Sequence, residues 1–440
     1  MPRQSGADDR AARPTAVIPT SDLVSRNGRL SRTAPHRHSA PQGHTTPHSH
    51  TGPHSHTGPH SHTAPHDPTV PRRRSPRALA AVAALGVVAL LAGCGLQLPL
   101  AGHADDGGAV VGTEPLSELE PIADPRDWTG ELTVGTPERA VDPVATDPSP
   151  ALPATVTDAQ GTEVTVTDTS RILALDLYGS LSRIVFELGL GDSVVGRDVS
   201  SGFPEIADRP LVTSNGHELT GEAILDLAPT VILTDTTLGP WDVVLQMRDA
   251  GIPVVVLDAH RSLETSADLA RATGEALGLP AEGAALAERT EAAVDATLEQ
   301  VAALAPDDAA VRPRVIFLYV RGQSGVYYLF GDESGADSLI EGLGGIDAAA
   351  EVGWKGMRPL NDEGLVSMQP DLVLLMTGGL ESVGGVDGLL EQVPALAQTP
   401  AGEHRRFVAM DDTEILSFGP KSADVLDALA RAFYAPESLS

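Results

Sequence analysis

Cysteine is nearly absent: 440 residues contain one, Cys94. No disulfide can therefore close within the chain, and stability has to come from packing. Lysine is almost as scarce, represented only by Lys355 and Lys421, and aromatic residues make up 3% of the sequence. Motifs for covalent and nucleotide chemistry are missing too. There is no G-x-S-x-G elbow, Walker A loop or cysteine pair, which argues against serine-hydrolase, P-loop and thiol-redox classes. His217-Glu218 begins like the zinc-hydrolase motif H-E-x-x-H, but Gly221 stands where the second histidine is needed.

Charge is distributed unevenly. Residues 1–93 hold eleven of the 30 basic residues and four of the 60 acidic ones, leaving the remainder near −37. A surface of that sign repels nucleic acid and anionic headgroups, so no nucleic-acid partner is expected. At the boundary, Arg72, Arg73, Arg74 and Arg77 precede fifteen apolar residues, Ala78 to Ala92. Basic flank, short apolar run and small residues are the layout of a secretory signal; the run is short for a permanent span. Leu91-Ala92-Gly93-Cys94 resembles the bacterial lipobox. That resemblance implies a cleaved signal, a diacylglyceryl group on Cys94 and an extracytoplasmic protein tethered to the cell membrane. The competing reading is a short core helix with a free thiol.

The chain divides by composition. Residues 1–71 are rich in Pro, Ser, Thr and Arg and read as disordered, with ten histidines between His36 and His66 in a T-G-P-H-S-H period. Such a tract suits zinc, copper or nickel, unless signal cleavage removes it or translation starts downstream. Residues 72–93 form the signal, and the acidic Pro- and Gly-rich residues 94–152 read as a tether. Residues 153–168 alternate like a β-hairpin with Gln160-Gly161 near its turn. Residues 153–280 and 305–440 alternate apolar strands (RILALD, VVGRD, TVILTD, PVVVLD, RVIFLYV) with helices near 181–190, 243–250 and 423–433. Between them, residues 281–304 have helical periodicity, with Val294, Leu298, Val301 and Leu304 on one stripe. The expected fold class is α/β: two lobes, each with a mainly parallel sheet, joined by one helix of about 36 Å, with a ligand cleft between them.

The lobes share an internal repeat. TGEAILDLAPTVIL from Thr220 and NDEGLVSMQPDLVL from Asn361 align at an offset of 141, matching Glu222 with Glu363 and Pro229 with Pro370. Each reads as an N-capped helix, a proline turn and a buried strand, and an early acid suits a helix N-terminus on electrostatic grounds alone. The paired signature resembles the binding proteins of ABC importers for iron siderophores, cobalamin and haem. In that family two lobes are joined by a rigid helix, and the two glutamates form salt bridges to arginines of a two-fold permease driven by a cytoplasmic ATPase. The resemblance carries that docking role onto Glu222 and Glu363.

Ligands in such folds sit near the carboxyl ends of the strands. His217 lies in the loop TSNGHEL; Tyr319 ends RVIFLYV, and Arg321 shares its face on an extended segment. A nearby cation favours a phenolate, which suits a ferric ion, and an imidazole opposite it could complete axial ligation of a metalloporphyrin. N-G-H-E-L followed by Y-x-R resembles the hemin-binding lipoproteins of Gram-positive haem importers. That implies His217 and Tyr319 as axial ligands, Arg321 bonded to the tyrosine, and haem as cargo, received in some systems from upstream surface haem-binding proteins. Tyr178, Tyr327, Tyr328, Trp354, Met357 and Arg358 are further candidates for the cleft lining, or else core and rim residues. A ferric-siderophore or cobalamin receptor is the alternative within the family, and a haem-processing enzyme the alternative outside it.

Overall fold

The computed structural model describes residues 108–439. The histidine tract, the signal segment and Cys94 lie outside the described residues. Ile172–Leu175, Val231–Thr234 and Val254–Val256 form a parallel three-stranded sheet in the first lobe, with Val231–Thr234 central. All three strands are buried throughout, as expected for a sheet covered on both faces. Ile172, Ala174, Val231 and Leu233 face one cluster with Leu181 and Leu269; Leu173, Leu175 and Ile232 face another with Ile224, Val244 and Met247. The expected hairpin forms as Ala154–Thr157 and Glu163–Val166. Asp158 Oδ1 closes it by accepting from Gln160 N and Thr162 N at 3.0 and 2.8 Å. VVGRD yields only isolated bridges, Val194 to Ile172 and Arg197 to Leu211.

The second lobe holds a seven-stranded sheet. Its parallel part runs Glu131–Val134, Phe407–Met410, Leu372–Met376, Arg314–Arg321. Val326–Phe330 and Met357–Pro359 extend it antiparallel, and the short strand Ile346–Asp347 pairs with the start of Arg314–Arg321. The two lobes and their α/β architecture agree with the sequence reading.

Pro280–Leu304 is one helix of 25 residues. Leu286 and Ala287 belong to the first lobe's core, whereas Val294, Val301 and Leu304 belong to the second's, with Leu298 packed beside them. Its N-terminal half meets helix Ser266–Ala276 where Gly274 faces Gly283. A Cβ on Gly274 would stand 2.6 Å from the Gly283 Cα, so only glycine permits this crossing.

The segment expected to be a free tether is not free where it is described. Glu131–Val134 pairs in parallel with Phe407–Met410, and Leu116 is buried in the second lobe's core. Ile122 N donates to Tyr434 O at 2.7 Å. The Trp128 ring lies 4.2 Å from the guanidinium carbon of buried Arg406, whose Nη2 donates to Ala432 O and Phe433 O at the end of helix Ser422–Tyr434. Farther on, Val144 N bonds Glu187 O and Ala151 N bonds Gly278 O, both in the first lobe. Burying apolar surface and satisfying backbone groups outweighs the Pro and Gly content that suggested a linker.

Candidate ligand cleft between the lobes

Tyr319 stands near the carboxyl end of Arg314–Arg321, its ring in a ladder with Phe330 (centroids 6.2 Å apart) and then Phe317 (5.0 Å). Alternation places Arg321 on the same face, and its Nε donates to the Tyr319 oxygen at 2.8 Å. The guanidinium carbon lies 5.0 Å from the Tyr319 ring centroid. Its Nη1 lies 3.6 Å from Asp412 Oδ2. Asp412 follows the parallel strand Phe407–Met410, which is separated from Arg314–Arg321 by Leu372–Met376, and its Oδ1 accepts from Gly378 N at 2.8 Å. Three parallel strands thus bring Tyr319, Asp412 and Gly378 to one edge of the sheet.

His217 comes from the other lobe. Asn215 and Gly216 both take positive φ, 47° and 91°, and reverse the chain between Thr213–Ser214 and Glu218–Leu219. An Asn-Gly pair is suited to such a reversal. His217 Nδ1 is buried and has no hydrogen-bond partner. Burial first, and the charge of Arg321 second, hold the imidazole below its ordinary pKa, with Asp412 opposing them. The ring is therefore biased toward its neutral, metal-binding form, and Arg321 and Asp412 both lie close enough to act on it.

The other candidates separate by strand register. Tyr328 is directly opposite Tyr319, and exposed Met357 is opposite Phe330, so both share the Tyr319 face. Tyr327 pairs with Val320 and Arg358 with Leu329, which puts them on the opposite face. There the Tyr327 hydroxyl bonds Gln392, and Trp354 Nε1 donates to Leu329 O at 3.2 Å. Tyr178 packs against the second lobe's core, under Arg261 at 5.5 Å.

Glu222 and Glu363 are exposed in the first turns of Gly221–Asp226 and Asp362–Met368. Among the described residues neither makes an ion pair. Asn361 caps its helix, its Oδ1 accepting from Gly364 N at 2.7 Å. Thr220 does not: its hydroxyl bonds Ser214 Oγ at 3.3 Å instead.

Sequence reasoning missed Asp412 and a buried acidic cluster beside the lobe seam. Arg261 Nη2 reaches Asp235 Oδ2 at 2.8 Å and Asp176 Oδ2 at 3.4 Å. Asp198 Oδ2 accepts from Asp176 N at 3.1 Å. All three carboxylates are buried. The signal was available: RILALD and TVILTD end in Asp176 and Asp235 at the carboxyl ends of their strands.

The periplasmic binding protein family profile matches residues 177–414, more than half of the chain. The chain belongs to the periplasmic binding protein family. Within that family it is similar to the solved heme binding protein HmuT, at 44% identity and a TM-score of 0.67, covering 71% of this chain and 100% of that one. Variants of HmuT have been crystallised with a histidine, a tyrosine and an arginine each replaced by alanine, the last two being two positions apart. The periplasmic heme-binding protein RhuT from Roseiflexus sp. RS-1 shares 37% identity at a TM-score of 0.56, covering 62% of this chain and 100% of its own. An uncharacterized ABC transporter substrate-binding lipoprotein of Bacillus subtilis (strain 168), YvrC, is 22% identical over 303 residues, 68% of this chain and 91% of that one. Among the described residues no helix is long and apolar enough to cross a membrane.

Proposed function

We propose that this periplasmic binding protein captures ferric haem between its lobes and delivers it to an ABC permease. One observation carries the reading: Arg321 Nε is bonded to the Tyr319 oxygen on one lobe, while His217 on the other lobe has an unpartnered, preferentially neutral imidazole. The Arg321 donor would stabilise a phenolate oxygen on iron, and His217 would supply an imidazole nitrogen as the second protein ligand. Tyr328 and Met357, which share the Tyr319 face, would meet the porphyrin. The likeness to heme binding proteins, and the residue types altered in the HmuT variants, support the assignment.

In this reading the protein is a carrier and not a catalyst. Glu222 and Glu363, exposed at equivalent places on the two lobes, would dock the two halves of the permease, whose ATPase supplies the energy. A lipid on Cys94 would hold the carrier at the outer face of the membrane.

The test is an absorption titration of the purified protein with ferric hemin, beside His217→Ala and Tyr319→Ala. A stoichiometric Soret shift altered by both substitutions is expected. Absence of any shift in the unsubstituted protein would overturn haem as the cargo and leave a siderophore or cobalamin to be tried.

A further inference from the structure

We infer that Asp412 is a positioning residue, holding the Arg321 guanidinium in register with the Tyr319 oxygen when the cleft is loaded. The inference rests on the haem reading above and adds a residue to it. Arg321 engages two partners at once: Nε on the Tyr319 oxygen at 2.8 Å and Nη1 at 3.6 Å from Asp412 Oδ2. A long arginine side chain loses much rotamer freedom in holding one geometry, and a second fixed contact reduces what remains to be lost on binding.

Asp412 is itself braced. Its Oδ1 accepts from Gly378 N at 2.8 Å, and a Cβ on Gly378 would stand 3.0 Å from Asp412 Oδ2. The carboxylate rests on bare backbone that a larger residue would disturb. Only the Oδ2 side then faces Arg321. Exposed ion pairs contribute little by themselves, and this one is partly exposed, at 38% and 30% for the two side chains. Its role is directional, and it should matter most when a bound porphyrin covers it.

Asp412→Asn is the discriminating change, since an amide oxygen can still accept from Gly378 N while the charge facing Arg321 is lost. The readouts are the absorption bands of the ferric hemin complex and the rate of hemin transfer to excess apomyoglobin. Four proteins are compared: unsubstituted, Asp412→Asn, Arg321→Ala and the double variant. Asp412→Asn should speed transfer about tenfold and shift the bands toward those of Arg321→Ala, and the double variant should match Arg321→Ala alone. Should Asp412→Asn lower the unfolding midpoint of the hemin-free protein, Gly378→Ala provides the check. It displaces the carboxylate without removing it and should give the same spectral shift.

Additive effects in the double variant would overturn the inference, as would an Asp412→Asn complex indistinguishable from the unsubstituted one. In those cases a Tyr319-dependent spectrum in the unsubstituted protein leaves the haem reading standing. Loss of that spectrum in the unsubstituted protein would overturn both.

Discussion

Ala228 and Gln369 stand 141 positions apart and share one backbone conformation, with φ of 43° and 44°, each directly before a proline. The internal repeat is therefore a repeat of geometry as well as of letters. In both lobes a left-handed residue follows the helix within two positions, the proline turns the chain, and the buried strand follows. This places Glu222 and Glu363 at equivalent positions on their lobes. Left-handed backbone costs a residue with a Cβ about 1 kcal/mol. Ala228→Gly should raise the unfolding midpoint by a few degrees, as calorimetry would read. Gln369→Gly should gain less, because it gives up the bond from Gln369 Nε2 to Val366 O.

Charge reversal of the two glutamates separates docking from ligand capture. Glu222→Lys with Glu363→Lys should leave the hemin titration unchanged, since neither side chain touches the cleft residues. Stimulation of the cognate transporter's ATPase should fall about tenfold, mostly through slower association. Each single reversal should act at least partly alone. Weakened hemin binding in the double variant would count against the division of labour.

The acidic cluster makes stability depend on pH with an unusual sign. Burial, and then the neighbouring charge of Asp176, push Asp198 up to about 7. Burial also pushes Asp176 up to about 6, with Arg261 opposing it and Asp235 reinforcing it. Acids raised on folding keep a proton in the native state that the unfolded chain has already released. Their contribution is fully present below about pH 4, the ordinary carboxyl range, and is lost as pH rises through about 6 to 7. The unfolding midpoint should therefore fall as pH rises from about 4 to about 7. Asp198→Asn should flatten that slope. A midpoint that rises over this range, or an Asn variant with the same slope, would contradict the account.

Gly274 is a test of the inter-helix contact. Gly274→Ala puts a methyl 2.6 Å from the Gly283 Cα, so the helices must part. A cost of roughly 1–3 kcal/mol is expected, seen in urea denaturation, with the absorption spectrum of the hemin complex unchanged.

What could be read from the sequence follows from how local each cause is. The long helix was legible because Val294, Val301 and Leu304 recur on one face, and the first hairpin because alternation and Gln160-Gly161 coincide. The candidate site residues His217, Tyr319 and Arg321 are legible as residue types, and the Tyr319–Arg321 bond follows from strand alternation. Glu131–Val134 was not legible: ELTV is four residues among prolines and glycines, and its partner Phe407–Met410 lies far along the chain. Asp412 is silent in sequence for the same reason, since its role exists only once three strand ends are side by side. Thr220 had the right chemistry for a cap, but Ser214 took its hydroxyl. Tyr327 and Arg358 lie near Tyr319 and Tyr328 in sequence, yet strand register turns both to the opposite face, where Trp354 also packs.

The passage from Glu131–Val134 across to Val144 and Ala151 has a mechanical consequence. The described chain runs through the second lobe, then the whole first lobe, then returns by the long helix. The His217 lobe is thus an insertion without a free end, spliced into the Tyr319 lobe. Any pull transmitted from residues before Gly108 loads the Tyr319 lobe and leaves the His217 lobe slack. An attachment before Gly108, were it to fluctuate, would drag one jaw of the cleft and let the other follow, so the spacing of the two jaws would be insulated from such a pull.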